Sequence, residues 1–227
     1  QRQMCIRDSG QRCTATSRLI LEEGIHDAFL ERFLMRAGSL KIGNGLDEST
    51  EMGPLINQRQ RDIVHQWVTI GIDEGAELLT GGKPYDDGEC KKGWFYEPTI
   101  MAGVTPRMRI AQEEIFGPVV SVFKVNDLAQ AIAVLNDSNY GLSSSIYTRD
   151  VNKAARAAEE IEAGITYING PTIGAECHLP FGGVKDTGNG HREGGEAAYE
   201  IFGETKTIYI DYSGRLQKAQ IDTAVTK

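Results

Sequence analysis

A cysteine near the start of the sequence has the surroundings of a nucleophile. Cys13 stands in the segment GQRCT, between a glycine-containing loop and a run of β-branched residues. A thiol in such a place is approachable, and the cation of Arg12 beside it favours the nucleophilic thiolate. The opposing interpretation is that a free cysteine is a small buried hydrophobic residue. Residue types alone leave both interpretations of Cys13 open.

A second segment, EEIFGP at residues 113–118, places two carboxylates before an aromatic ring and a forced turn. Glu113 and Glu114 could hold a hydroxyl-bearing ligand, and Phe116 could stack on a ring of that ligand. By spacing alone, the segment could equally be the end of a helix that turns at Pro118 into a strand.

A third segment, FGGVKDTGNG at residues 181–190, is rich in glycine. Such clusters let the backbone approach a phosphate or a neighbouring loop closely. The P-loop pattern fails because Asn189 stands where lysine is required, and the dinucleotide fingerprint fails because Glu193 stands where glycine is required. The segment therefore predicts an irregular, tightly packed loop.

The remaining cysteines and histidines form no metal-ligand pattern, and no CxxC pair is present, so no metal site is predicted. Cys90 lies in a polar loop and is expected to be inert. Cys177 is followed by His178, but adjacent residues rarely face each other, so a structural role is favoured. A cysteine hydrolase that pairs Cys13 with His178 or His191 stays open as an alternative.

The elements that must position these segments alternate between strand and helix. This alternation predicts an α/β fold with a mostly parallel sheet flanked by helices. In the segment Thr205–Asp211, side chains alternate in the pattern of a strand, which predicts an exposed edge strand. Such an edge tends to recruit a partner strand and favours oligomerisation. The predicted strands are Thr14–Leu21, Ala76–Thr80, Phe95–Ile100, Val119–Val125, Tyr140–Tyr147 and Ile165–Ile168, and the predicted helices are Ile25–Ala37, Gln58–Glu74, one capped by Asn126–Asp127, Val151–Ile161 and Glu196–Phe202.

Length and charge exclude several classes of protein. The chain has 227 residues, 40% apolar and 25% charged, which fits a globular protein with a substantial core. Its net charge of −8 repels phosphate backbones, so nucleic-acid binding is not expected. No apolar run approaches the ~20 residues of a membrane helix. With few cysteines and no signal peptide, the chain is expected to be soluble and cytoplasmic.

The order of the three segments carries more information than each one alone. GQRCTA, EEIFGPV about a hundred residues later and PFGGVKDTGNG beyond it together resemble the C-terminal half of an aldehyde dehydrogenase. The resemblance runs from about Gly10 to about Ile210 and includes MGPL at residues 52–55. The phrase PTIGAE at residues 171–176 resembles the branch of the family that handles semialdehydes with a polar tail.

The resemblance implies an oxidation of aldehydes to carboxylic acids with NAD or NADP, through a thiohemiacetal and a thioester on the enzyme. The nucleophile would be Cys13, whose backbone N–H would serve part of the oxyanion site. Glu114 and Phe116 would hold the nicotinamide end of the cofactor, and Gln60 would lie near its adenosine side. Four residues would surround the substrate, namely Arg12, Thr14, Ile173 and Phe181.

The same resemblance implies a division of the chain. Residues 9–203 would be the catalytic domain, 204–213 an oligomerisation strand of a homodimer or homotetramer, 214–227 a polar tail, and 1–8 a foreign or truncated leader. In the family, the main cofactor domain, the general-base glutamate and the oxyanion asparagine precede the nucleophile. The expectation is a truncated catalytic half that is inactive alone. The other alternative to the dehydrogenase is a non-enzymatic oligomerisation domain.

Overall fold

The computed structural model describes residues 9–174 and 176–214. The predicted leader at 1–8, the tail from 215 onward and Ala175 lie outside the described residues. The centre of the fold is a four-stranded sheet with the strand order β1-β4-β3-β2, in which β1 and β3 run parallel to β4 and β2 is antiparallel to β3. The mostly parallel sheet is therefore confirmed. Its strands are β1 (Arg18–Glu22), β2 (Glu77–Thr80), β3 (Thr99–Ala102) and β4 (Val119–Val125).

The central strand β4 shows why this sheet is covered on both faces. Its sequence VVSVFKV is almost wholly apolar, as expected of a strand buried on both sides. Phe123 packs into the cluster that contains Val64 and Val68, whereas its neighbour Val122 packs into the cluster that contains Leu21. Successive side chains point to opposite faces, so β4 joins two separate cores.

Some of the helices begin where the sequence offers a capping side chain. The Asn57 side chain accepts a hydrogen bond from Gln60 N, and the predicted cap at Asp127 accepts one from Gln130 N. The helices are α1 (Glu23–Gly38), α2 (Gln58–Asp73), α3 (Arg109–Gln112), α4 (Leu128–Asn136), α5 (Val151–Glu160) and α6 (Ala197–Phe202). None of the helices within the described ranges has the length and apolar character to cross a bilayer.

Three predicted strands are shifted, shorter or broken in the structure. The strand predicted over Phe95–Ile100 lies instead at Thr99–Ala102. The strand predicted from Thr14 begins only at Arg18, because Ala15 N donates to Arg12 O and residues 12–15 form a turn. The strand predicted over Tyr140–Tyr147 divides between two sheets. Its parts are β5 (Tyr140–Gly141), antiparallel to β8 (Val184–Lys185), and β6 (Ser143–Ile146), parallel to β7 (Ile165–Ile168).

The segment predicted as an edge strand, Thr205–Asp211, forms no strand in this chain. All of its residues are exposed, and no ladder joins it to another strand of the described residues. The expectation of a strand is corrected for the single chain, because an alternating segment needs a neighbour to supply its backbone hydrogen bonds. Pairing with a second copy stays a prediction.

Candidate active site

Cys13 lies at the corner of a tight turn. The Arg12 carbonyl accepts a 3.0 Å hydrogen bond from Ala15 N, so Cys13 and Thr14 are the two central residues of a β-turn. The Cys13 side chain is exposed and its thiol is free. Within residues 9–174 and 176–214, the backbone N–H of Cys13 has no hydrogen-bond acceptor. The turn thus presents a thiol and an unused N–H donor together.

The N-terminal side of this turn is fixed by two other loops. Gly10 has φ +68°, and a Cβ there would overlap the Gly117 carbonyl, so only glycine allows the approach. The Gln11 side-chain oxygen accepts a 2.9 Å hydrogen bond from Ile56 N. The segment that carries Cys13 therefore lies directly against the EEIFGP turn and against the loop that precedes α2.

The C-terminal side of the turn is fixed by the loop after β7. Thr172 Oγ1 donates a 2.8 Å hydrogen bond to the Thr14 carbonyl, and Thr16 Oγ1 lies 3.0 Å from Thr172 Oγ1. Ile173, which was assigned to the aldehyde entrance, follows Thr172 directly and is half-buried. Thr14 itself is only 1% exposed, so its side chain faces the interior of this structure.

The EEIFGP turn is held by helix α2. Phe116 has φ +56°, which is uncommon for a residue other than glycine and marks local strain. Gln60 Nε2 donates 3.1 Å hydrogen bonds to both the Ile115 and the Phe116 carbonyls, and the Val64 side chain lies directly against Gly117. The first turn of α2 therefore maintains the conformation of this strained turn.

The structure gives Gln60 a contact that the resemblance did not imply. Its amide nitrogen is engaged by the turn that carries Phe116, next to Glu114, whereas the expectation placed the residue near an adenosine. A role on the nicotinamide side, exerted through the turn, fits this contact. No local signal in the sequence could have revealed it, since Gln60 and Phe116 are 56 residues apart.

Glu114 and Phe116 fit the nicotinamide riboside end of a dinucleotide. Glu114 is exposed and has no ion pair or hydrogen bond with any described residue, so both carboxylate oxygens can accept from the hydroxyls of a ribose. Phe116 is half-buried on a turn in contact with the segment that carries Cys13. These residues would hold the cofactor, with Gln60 supporting them.

The glycine-rich loop is tightly packed, as predicted. Phe181 and Glu193 form an antiparallel bridge, and a Cβ at Gly164 would overlap the Gly182 carbonyl. Lys185 Nζ donates to the Asn136 and Ser138 carbonyls at the end of α4 and pairs with Glu162 at 2.6 Å. These contacts give the glycines a packing role and position Phe181, which is half-buried.

The other candidate residues are dispersed. Cys90 is buried, and burial first, then the nearby Asp87, raises the pKa of its thiol, which agrees with an inert role. Cys177 and His178 are both exposed, and no hydrogen bond in the described part of the chain joins Cys13 to a histidine. Arg12 is half-buried beside the thiol. The described residues contain no group of three or more potential metal ligands.

Comparison with known sequences identifies relatives along nearly the whole chain. Residues 2–208 match the aldehyde dehydrogenase family. Alpha-ketoglutaric semialdehyde dehydrogenase of Bacillus subtilis is 41% identical over 204 residues, covering 90% of this chain and 42% of that protein. Betaine aldehyde dehydrogenase of the same organism is 42% identical over 203 residues, covering 88% of this chain and 41% of that protein. The chain spans about two fifths of the length of these relatives.

Solved structures show the same arrangement. An NAD-dependent aldehyde dehydrogenase from Sinorhizobium meliloti superposes with a TM-score of 0.87 at 37% identity, covering 96% of this chain and 42% of that one. Betaine aldehyde dehydrogenase from Staphylococcus aureus in complex with NAD+ superposes with a TM-score of 0.82 at 36% identity. The match covers 87% of this chain and 39% of that one. By sequence and by fold, this chain belongs to the aldehyde dehydrogenase family.

Proposed function

We propose that the protein containing this chain oxidises an aldehyde to a carboxylic acid with NAD or NADP, and that Cys13 is its nucleophile. The observation that carries the proposal is the exposed Cys13 thiol on a segment whose Gly10 lies directly against Gly117, the residue after Phe116. A nucleophile and a cofactor-binding turn must be neighbours if a hydride is to pass between substrate and cofactor.

The first chemical step uses two groups of the Cys13 turn, the thiol and the backbone N–H. The thiolate attacks the aldehyde carbon, a C–S bond forms, and the carbonyl electron pair moves to oxygen. The free N–H of Cys13 is available to donate to that oxyanion, because the described residues give it no other acceptor. The product is a thiohemiacetal on Cys13.

A nicotinamide dinucleotide held by Glu114 and Phe116 would supply the acceptor for the hydride that leaves the substrate carbon. As the oxyanion collapses to a carbonyl, the carbon is oxidised to a thioester on Cys13. Water then adds to the thioester and releases the carboxylic acid and the free thiol. Glu114 and Phe116 would keep the cofactor oriented during this sequence, and Gln60 holds the turn of Phe116 through the Ile115 and Phe116 carbonyls.

The relatives and the loop beside the nucleophile support a proposal for the substrate class. The curated relatives include enzymes named for an anionic semialdehyde and for a cationic aldehyde at nearly equal identity. We propose an aldehyde with a polar tail, a semialdehyde first, with Arg12, Ile173 and Phe181 around it. The side chain of Thr14 is buried, so this residue would act on the substrate only through its backbone. We also propose that the complete protein is a cytoplasmic homodimer or homotetramer.

The test uses the complete protein that contains this chain. Wild type and Cys13→Ser are mixed with NAD and a panel of semialdehydes and betaine aldehyde, and NADH absorbance is followed. We expect Cys13→Ser to lose at least ~10³-fold in kcat, because a hydroxyl is a far poorer nucleophile at neutral pH. NAD binding, measured by calorimetry, should persist.

Cys177→Ser is the matched control, because Cys177 is also exposed but is not the proposed nucleophile. It should retain activity. Full oxidation by Cys13→Ser would overturn the proposal. Hydrolysis of activated esters with no oxidation of any aldehyde in the presence of NAD or NADP would favour the cysteine hydrolase, and the absence of both activities together with unselective alkylation of Cys13 would favour the oligomerisation domain.

A further inference from the structure

The loop after β7 reaches the nucleophile through a single side chain. Thr172 and Thr14 are 158 residues apart in sequence, yet the Thr172 hydroxyl donates to the Thr14 carbonyl at 2.8 Å. Because that hydrogen is used on the carbonyl, the 3.0 Å contact between Thr16 Oγ1 and Thr172 Oγ1 must take its hydrogen from Thr16. The direction of both hydrogen bonds is thereby assigned.

These two bonds act on the turn that carries Cys13. The turn is closed by one backbone bond, Ala15 N to Arg12 O, and the Thr14 carbonyl lies between its closing residues. The described residues supply no other donor to the Thr14 carbonyl. Thr172 is therefore the external restraint on the C-terminal half of the turn.

The loop of Thr172 is itself anchored to the small parallel sheet. Asn169, at φ +58°, bonds both to the backbone N–H and to the carbonyl of Thr148, and Ser145 Oγ donates to the Gly170 carbonyl. The restraint on the nucleophile thus comes from a fixed support. The next residue, Ile173, belongs to the proposed substrate site. One loop therefore carries both the bond to the Cys13–Thr14 turn and a residue that would face the aldehyde.

We propose that Thr172 is a positioning residue whose hydroxyl clamps the Cys13–Thr14 turn and couples the nucleophile to the loop that carries Ile173. This inference rests on the proposed function for its meaning, since it concerns the orientation of the nucleophile. The clamp itself is measurable without any catalytic activity.

The first experiment measures, in the 227-residue chain, how stable the hydrogen bond is that closes the Cys13–Thr14 turn. Amide hydrogen exchange of Ala15 is compared in wild type, Thr172→Val and Thr172→Ser. Losing the Thr172 hydroxyl should lower the protection of Ala15 about fivefold, and serine, which keeps the hydroxyl, should restore it. Thr16→Val removes only the second bond and should have a smaller effect.

Thr69→Val is the matched control, because the Thr69 hydroxyl also donates to a backbone carbonyl, that of His65, but far from the turn. Thr69→Val should leave the amide exchange protection of Ala15 unchanged. Exchange of the β4 amides should be the same in all variants, which separates a local clamp from general unfolding. If Thr172→Val leaves Ala15 protection unaltered, or if Thr172→Ser behaves like Thr172→Val, the clamp does not exist.

The second experiment measures the consequence in the complete protein. Thr172→Val should lower kcat at least about fivefold and leave the KM for NAD unchanged, because the Thr172 hydroxyl bonds to Thr14 and Thr16 and, among the described residues, to none of the cofactor turn. The rate at which iodoacetamide alkylates Cys13 should differ between wild type and Thr172→Val. The rate at which it alkylates Cys177 should be the same in both proteins. An unchanged kcat would overturn the catalytic part of the inference, whereas an active Cys13→Ser would instead overturn the proposed function.

Discussion

Two threonines beside the nucleophile differ in how their hydroxyls are satisfied. Thr172 Oγ1 has both a donor and an acceptor, whereas Thr14 Oγ1 is buried and has no hydrogen-bond partner among the described residues. A buried hydroxyl without a partner costs about 1–3 kcal/mol. The Thr14 side chain therefore does not stabilise this chain through its polar atom.

Replacing Thr14 with valine tests that statement at the residue scale. The change keeps the shape and removes the unpaired hydroxyl, so we expect the free energy of unfolding to stay the same or rise by up to about 1 kcal/mol. Urea denaturation of the 227-residue chain measures it. Thr99→Val is the control that should destabilise, because the equally buried Thr99 hydroxyl bonds to the Glu97 carbonyl and to Gly82 N. If Thr14→Val lowers the free energy of unfolding as much as Thr99→Val does, the Thr14 hydroxyl is not unpaired.

At the scale of elements, helix α2 is the support of the cofactor turn. Gln60 lies in its first turn and satisfies two carbonyls of a turn that includes the strained Phe116. Local strain of this kind persists only where surrounding contacts determine the conformation. The position of Phe116 therefore depends on a helix that contributes no residue of its own to the chemistry.

Gln60→Leu should relax the cofactor turn. We expect the KM for NAD of the complete protein to rise, by up to about thirtyfold, and the KM for the aldehyde to stay unchanged, because two hydrogen bonds of roughly 1 kcal/mol each are lost at the cofactor turn. Steady-state kinetics separate the two constants. Gln66→Leu, an exposed glutamine on the same helix, should match wild type. Equal KM values for NAD in both variants would show that α2 does not support the turn.

Helix α3 is tied to the end of α2 by an ion pair with a pH dependence. The Glu74 carboxylate accepts hydrogen bonds of 2.7 Å from Arg109 N and from Arg109 Nε. The side-chain hydrogen bond from Arg109 is the main cause that lowers the pKa of Glu74 below its ordinary value of 4.5. The contribution of this carboxylate to stability is therefore complete above pH 4.5 and is lost as the pH falls through the folded-state pKa.

Glu74→Gln should accordingly destabilise the chain at neutral pH by about 1 kcal/mol, and the difference from wild type should shrink in acid. Urea denaturation of both proteins at neutral pH and near pH ~3 measures the two differences. Glu159→Gln is the control, because Glu159 is exposed and has no salt bridge with the described residues. Its free energy of unfolding should equal that of wild type at both pH values. A pH-independent effect of Glu74→Gln would contradict the role of the charge.

At the scale of the whole molecule, the C-terminal segment leaves an apolar surface uncovered. Ile208, Tyr209, Ile210 and Tyr212 are between 61% and 91% exposed, and the segment forms no strand in the single chain. Exposed apolar patches rimmed by polar residues mark interfaces. An alternating segment with unpaired backbone groups is suited to a strand edge of a second copy.

Substituting Ile208 and Ile210 together with aspartate should therefore weaken self-association of the complete protein. In the strand that this segment would form against a second copy, both residues would lie on one side, and charges there would be buried in the interface. Sedimentation velocity should show a smaller species at equal concentration. Thr207→Asp, on the other side of the same strand, should have a lesser effect. An unchanged oligomer in the double variant would exclude this segment from the interface.

The sequence predicted best the elements whose signals are local. Val119–Val125 is a strand at its predicted bounds because a continuous apolar run fits a strand buried on both faces. The Asp127 cap formed as expected because a side chain and an N–H three residues on lie within one helical turn. The strand predicted from Thr14 was wrong at its start, since β-branched residues do not reveal a turn closed between Arg12 and Ala15.

The order of motifs along the chain was enough to predict the family and to predict that Cys13, Glu114 and Phe116 serve one site, because the motifs are local strings. Only the tertiary structure brought their segments together, where Gly10 lies against Gly117. The bonds from Ile56 to Gln11, from Gln60 to Phe116 and from Thr172 to Thr14 span 45, 56 and 158 residues. Contacts of that separation depend on how the sheet and its loops pack, and packing is a property of the whole chain.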